Sequence, residues 1–263
     1  MDTEFETLLY REDEGVAFVT LNRPEVFNCF NTQMEHDLAS VWNSIKANPE
    51  VRAAVLTAAG DRSFCTGMDR GDIPVDADYD PYTYDDPGHR LGPKSQECWK
   101  PVIGAVNGMA GGGAFYLLGE CDILIAADHA TFFDPHVTYG MPAVFEPITM
   151  LARMPFGEVM RMSLMGTAER ISAQRAYEIG LVTEVVPKEQ LLDAALHVAR
   201  TIASFPQSAV LSTLRTLWAA RELTPDQGRI MGNVLLNLGT STEAKAEGQQ
   251  VFSSGKRIEP RIR

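Results

Sequence analysis

The chain has 263 residues, of which 45% are hydrophobic and 22% charged, an ordinary globular balance for one large domain or a domain with an appendage. Its formal net charge of −12 excludes binding by phosphate neutralisation and so argues against a nucleic-acid partner. Cys29, Cys65, Cys98 and Cys121 lie far apart, with no zinc spacing, and read as reduced thiols of a cytoplasmic protein. The acidic first residues do not resemble a signal peptide.

Residues 6–12 and 16–21 read as a hairpin turning at Asp13, Glu14 and Gly15. Asn31 or Thr32 then caps a helix to about residue 47, with Met34, Leu38, Val41, Trp42 and Ile45 at helical spacing. VRAAVLTAA (51–59) is a buried strand and GDRSFCTGMD a loop. Residues 71–88, rich in Asp, Pro, Gly and Tyr, read as an irregular, mobile loop. A helix is expected from about His89 to Trp99, then the strand VIGAV. Residues 101–119 carry no charge, but six are glycine, so strand, turn and helix (about 112–120) fit better than a membrane span. Further strands are expected at 122–127 and 130–133. Residues 144–165 should be helical with a break near Pro155. A short helix ends at Gly180, LVTEVV is a strand, and helices follow from Pro187. Alternating strands and helices followed by helices alone predict an α/β core with a C-terminal helical appendage.

Glycines let a backbone approach a ligand closely, and a helix opening after GGG turns unpaired N–H groups toward an anion or developing oxyanion. Close packing of strand on helix explains the same glycines equally well. No G-x-G-x-x-G, Walker or G-x-S-x-G motif occurs in this stretch.

Several segments, in order along nearly the whole chain, resemble the crotonase, or enoyl-CoA hydratase/isomerase, superfamily. LNRPEVFNCFN is similar to its N-terminal motif, SFCTGMD to F-[SCA]-[AT]-G-x-D, and NGMAGGGAFYLLGECDILIAA to NG-x-A-x-GG before a helix. IGLVTEVVP and VFSSGKRIEP match later landmarks. The resemblance implies a spiral of ββα units over 1–205 and a helical trimerisation region over 206–263. It implies a homotrimer or dimer of trimers acting on an acyl-CoA thioester, with coenzyme A part of the substrate and no permanently bound cofactor. It also implies an oxyanion hole made by the N–H groups of Met68, after Gly67, and of Gly113. Cys65, Gly67, Asp69 and Lys256 fall in motifs beside the ligand. Asp69 reads more simply as a helix cap and Cys65 as a small buried residue. Lys256 and Arg257 resemble a basic pair that reaches CoA phosphates, or are merely solvated.

The chain departs from the family at both hydratase glutamates. Tyr116 stands at the first position and His136 at the second, in FFDPHVTYG. Water addition by paired carboxylates is therefore not expected. Isomerisation, decarboxylation or hydrolysis is favoured, with His136 and Glu146 as proton carriers. Tyr116, a poor base, and His89 rank behind them, and Asp134 is placed to orient His136 if the two side chains meet. The alternatives are a non-catalytic acyl-CoA-binding protein of this fold, motivated by the lost glutamates, and an unrelated α/β binding module.

Overall fold

The computed structural model describes residues 5–72, 86–255 and 259–263. Most of the irregular Asp- and Tyr-rich loop, together with Lys256 and Arg257, lies outside the described residues. The chain divides into two compact units, 1–200 and 201–263.

In the first unit, β1 (Leu8–Asp13) and β2 (Val16–Leu21) pair antiparallel. Glu14 (φ 47°) and Gly15 (φ 78°) make the two-residue turn, whose positive φ values match the twist of a tight hairpin. Helix α1 (Thr32–Ala47) starts at Asn31, whose side chain accepts the Met34 N–H at 3.0 Å. Its inner face buries Met34, Leu38, Val41, Trp42 and Ile45, as the helical spacing predicts.

The next three excursions share one plan. A buried strand is followed at once by a short strand in another sheet: β3 (Ala53–Ala58) by β4 (Ser63–Cys65), β5 (Val102–Val106) by β6 (Met109–Gly111). Helix α2 (Ala114–Glu120) intervenes before β7 (Ile123–Ala127) and β8 (Thr131–Phe133). Helices α3 (Phe145–Met150) and α4 (Phe156–Met165), strand β9 (Ile171–Ser172), helix α5 (Ala173–Glu178) and strand β10 (Glu184–Val186) follow. Among the described residues one sheet runs β1-β2-β3-β5-β7-β10, parallel after the first hairpin, and the second runs β4-β6-β8-β9. Strands β3 and β5 are almost entirely buried, which is why they read as continuous apolar runs without alternation.

The step between sheets is held at Asn107. Its Nδ2 donates to the carbonyls of Ala58 and Gly60, both at 2.9 Å, tying the β5–β6 corner to the β3–β4 corner. At neighbouring Gly108 a Cβ would stand 2.7 Å from the Arg62 carbonyl carbon, so the crossing admits no side chain.

Three expectations change. SFC and MAG, read as loops, are strands of the second sheet, too short to show a period of two. The helix expected from His89 to Trp99 is a single 3-10 turn, Pro87–Arg90, followed by turns. Tertiary partners take its polar groups: Trp42 Nε1 donates to the Leu91 carbonyl at 2.9 Å, and Glu120 Oε2 accepts the N–H groups of Lys94 (2.6 Å) and Ser95 (2.8 Å). No helix follows Asp69 for it to cap among the described residues. Its Oδ2 pairs with Arg23 at 2.9 Å, and its Oδ1 accepts the Gly71 N–H at 3.2 Å.

Helix α6 (Leu191–Ala203) ends the first unit and enters the second. In the second unit, α7 (Gln207–Glu222) and α8 (Pro225–Gly239) pack as a pair, with Thr224 and Gln227 forming a reciprocal capping box, and α9 (Thr242–Ser253) follows. No described helix is long and apolar enough to cross a membrane. The uncharged stretch 101–119 resolves into β5, β6 and α2.

Trp42 and Leu91 are both fully buried. Trp42→Phe leaves the Leu91 carbonyl without its donor and is expected to lower unfolding free energy by about 1–3 kcal/mol, read from urea denaturation.

Candidate active site

Two chain segments meet at a pair of glycines. One is the loop after β4, where Gly67 has φ +99°; the other is the Gly112–Gly113 turn between β6 and α2. A Cβ on Gly67 would stand 3.1 Å from Gly113 N, and a Cβ on Gly113 would stand 2.5 Å from the Phe30 ring. The loop is fixed against Phe30, whose N–H donates to the Gly67 carbonyl at 2.9 Å while the Asp69 N–H donates to the Phe30 carbonyl at 2.8 Å. Because C=O and N–H of one peptide point oppositely, the Met68 N–H faces away from Phe30. Among the described residues neither it nor the Gly113 N–H donates to a protein acceptor. Both residues line a cavity of about 560 Å³, within the usual range for small-molecule sites.

The titratable side chains of this cavity come from separate elements. His136 opens a 3-10 turn after β8. Its Nδ1 lies 2.6 Å from Asp134 Oδ1, which also accepts the His136 backbone N–H at 3.0 Å, so the two side chains do meet. Asp134 is fully buried, and its second oxygen has no partner among the described residues. The Asp134 contact holds the imidazole pKa above its ordinary value against the opposing effect of burial. His136 Nε2 lies 3.4 Å from Oε1 of Glu146, in the first turn of α3. Glu146 is 5% exposed, and burial pushes its carboxyl up despite the nearby imidazole.

Tyr116, in α2, donates its phenol hydrogen to Asp86 Oδ2. Burial foremost, then the Glu146 and Asp86 carboxyls, push the phenol far above its ordinary range. The ring packs beneath the Asp86–Gly88 turn: a Cβ on Gly88 would stand 2.2 Å from Tyr116 Cε2.

Thus Met68, Gly67, Gly113, Tyr116, His136 and Glu146 converge on one cavity. Cys65 and Asp69 do not line it. Cys65 is fully buried, its thiol pushed up to about 12 by burial, and its Sγ accepts the Gly67 N–H at 3.4 Å. His89 is exposed and also stands outside the cavity lining. Sequence reasoning missed Asp86 as part of the site. The Asp-Pro-Gly turn was visible, and Asp86 Oδ1 does accept the Gly88 N–H at 3.0 Å, but its contact with Tyr116 thirty positions away was not. Among the described residues no group of three or more His, Cys, Asp or Glu is placed to hold a metal ion.

The two sheets thus bring two backbone N–H groups at glycine turns and the side chains of Tyr116, His136 and Glu146 to one cavity. The enoyl-CoA hydratase/isomerase family model matches residues 11–258. The chain belongs to this family, within the crotonase superfamily, whose members act on acyl-CoA thioesters. It is 35% identical to an (E)-benzylidenesuccinyl-CoA hydratase of Thauera aromatica, covering 94% of this chain and 95% of that protein. It is 30% identical to a short-chain-enoyl-CoA hydratase of Clostridium acetobutylicum, covering 97% and 98%. A crystal structure of an enoyl-CoA hydratase/isomerase from Mycobacterium paratuberculosis superposes with a TM-score of 0.89 at 33% identity, covering 99% of this chain and all of that one.

Because folding favours the His136 imidazolium, its contribution to stability is complete below the ordinary histidine range and is lost as pH rises through the raised folded value. Asp134→Asn should lower the His136 titration midpoint, followed by imidazole NMR, and remove this component of the pH–stability curve.

Proposed function

We propose that the chain is an acyl-CoA enzyme in which the N–H groups of Met68 and Gly113 hold the thioester oxygen while His136 and Glu146 move the proton. The observation that carries this reading is the convergence of those two uncommitted donors and two acid–base side chains on one cavity of about 560 Å³. A thioester oxygen gains charge as an enolate or tetrahedral adduct forms, and fixed donors favour that state over the ground state. Losing one such donor costs about 3–4 kcal/mol of transition-state stabilisation. Asp134 fixes the imidazole through Nδ1, leaving Nε2 as the atom that exchanges a proton with substrate.

With Tyr116 and His136 at the two hydratase glutamate positions, the reactions favoured are isomerisation, decarboxylation, or hydrolysis of a C–C or thioester bond. A second reading is hydration with His136 and Glu146 replacing the paired glutamates. Its support is that the relatives described above bear hydratase names and that these two groups lie 3.4 Å apart in the cavity.

The C-terminal helices are proposed to join copies of this chain as a homotrimer or a dimer of trimers. Leu217, Ile230 and Phe252 are 63%, 71% and 84% exposed, more apolar surface than an isolated helical unit ordinarily leaves to water. Sedimentation equilibrium should return three or six times the chain mass; the monomer mass would refute the assembly.

The test of function is mass spectrometry of an acyl-CoA panel, including crotonyl-CoA, incubated with the protein in D2O. Deuterium uptake, isomerisation, decarboxylation or free CoA supports the first reading, and hydration at an ordinary hydratase rate supports the second. CoA binding with no chemistry across the panel favours the non-catalytic protein. His136→Ala should lower kcat by about 10²–10⁴-fold with little change in CoA affinity, and an unchanged kcat would remove His136 from the chemistry.

A further inference from the structure

Arg70 is the single arginine or lysine among the described residues that line the cavity. It follows Met68 by two positions, on the loop that carries the first backbone donor. A guanidinium keeps its charge at any pH a protein works in and can only donate hydrogen bonds. Among the described residues Arg70 has no hydrogen-bond acceptor and no carboxylate partner. The nearby acids are committed to other groups. Asp69 pairs with Arg23 at 2.9 Å through Oδ2 and accepts the Gly71 N–H at 3.2 Å through Oδ1. Asp86 accepts the Tyr116 phenol through Oδ2 and the Gly88 N–H through Oδ1. Glu146 faces His136, 3.4 Å from Nε2.

The contact that Arg70 does make is with an aromatic ring. Its guanidinium carbon lies 5.7 Å from the centroid of Tyr139, within cation–π range. Such a contact draws on the charge and offers no acceptor in the ring plane, so the N–H donors stay available to a ligand. Tyr139 ends the 3-10 turn that His136 opens, and residues three apart on a 3-10 turn lie one above the other. Arg70 is therefore held by the same turn that presents the imidazole. Beside it the wall is apolar, with Met141, Val144 and Phe145. A neutral acyl chain gains nothing from a cation at this position. An anionic one would lose water against the apolar wall and needs a fixed charge-bearing donor in return.

We propose that Arg70 is a specificity-determining residue that receives a carboxylate on the acyl group, so that the substrate is the CoA thioester of a dicarboxylic acid. The inference rests on the acyl-CoA reading above and names its substrate class. Two residues of chain span at most about 7 Å, so the cation belongs to a position a short acyl chain away from a thioester oxygen at the Met68 N–H. The substrate is then fixed at three points. Its thioester oxygen lies at the two backbone N–H groups, its reacting carbon beside His136, and its free carboxylate at Arg70. A carboxylate matches the guanidinium fork with two parallel N–H···O bonds, which a carboxamide of the same size cannot do with a full charge. The phosphates of CoA are the other anions such a fork could take, and the experiment separates the two.

The experiment is calorimetric binding to the full-length protein and to Arg70→Gln. The probes are glutaryl-CoA and adipyl-CoA, the same two thioesters with the free carboxyl converted to the primary amide, and CoA itself. Arg70 is exposed, so the variant is expected to fold, which circular dichroism checks. The wild type should bind at least one acid about 10–100-fold more tightly than its amide. Arg70→Gln should bring the two affinities together by weakening the acid. A wild type with no preference for either acid overturns the proposal, as does a preference that survives in Arg70→Gln. Equal weakening of acid, amide and CoA in the variant would assign Arg70 to the CoA phosphates and overturn it as well. If neither CoA nor any thioester bound the wild type, the acyl-CoA reading would fall and the inference with it. Binding of the thioesters without a preference defeats the inference alone.

Discussion

The structure of the site depends on one close approach, that of the backbone at Gly67 to the backbone at Gly113. The 3.1 Å between a Cβ position on the first and the amide nitrogen of the second leaves room for no other residue at Gly67, where φ is also +99°. Each segment arrives there from a strand of the second sheet, and those strands exist because the chain turns out of the first sheet at the Asn107 corner. The two N–H groups are thus set by backbone geometry fixed on both sides, with no dependence on side-chain rotamers. That is what a site needs if its donors are to be in place before charge develops.

Around this backbone core, the side chains belong to elements that the spiral brings together late. His136 follows the third short strand, Glu146 begins the helix after it, and Tyr116 lies in the helix whose start carries Gly113. Burial acts on these groups in different directions. It raises Glu146 and Tyr116, whose charged forms are anions, and it opposes the imidazolium of His136, which Asp134 nevertheless sustains. A buried acid, a half-buried phenol and a supported imidazole within one cavity therefore take unlike protonation behaviour from unlike neighbours.

Tyr116 takes its setting from an element thirty positions away in the chain. Its ring fills space beneath Gly88, and its hydroxyl joins Asp86 to the cavity. The turn at Asp86–Gly88 and the helix α2 are consequently coupled by packing and by a hydrogen bond, a coupling that a carboxylate at position 116 would not make in the same way. Two like-charged carboxylates would then have to share the space that a neutral hydrogen-bonded phenol now occupies.

Local patterns in the sequence determined the hairpin turn, the amphipathic α1 with its Asn31 cap, the buried parallel strands, the break between α3 and α4, and the run of C-terminal helices. Each is written in residues close together in the chain, where propensity, period and capping act. The glycine motifs likewise identified the family, and their residues Gly67, Met68 and Gly113 line the cavity. Tertiary structure alone decided β4, β6 and β9 of the second sheet, because strands of two or three residues carry no readable period and are specified by their partners. It also decided that residues 91–99 form turns, since Trp42 and Glu120 take their polar groups. The same holds for the site: Asp134 meets His136, Glu146 stands 3.4 Å from it, and Asp86 reaches Tyr116. Protonation follows from burial and from neighbours remote in sequence, so it is a property of the folded chain and of no segment taken alone.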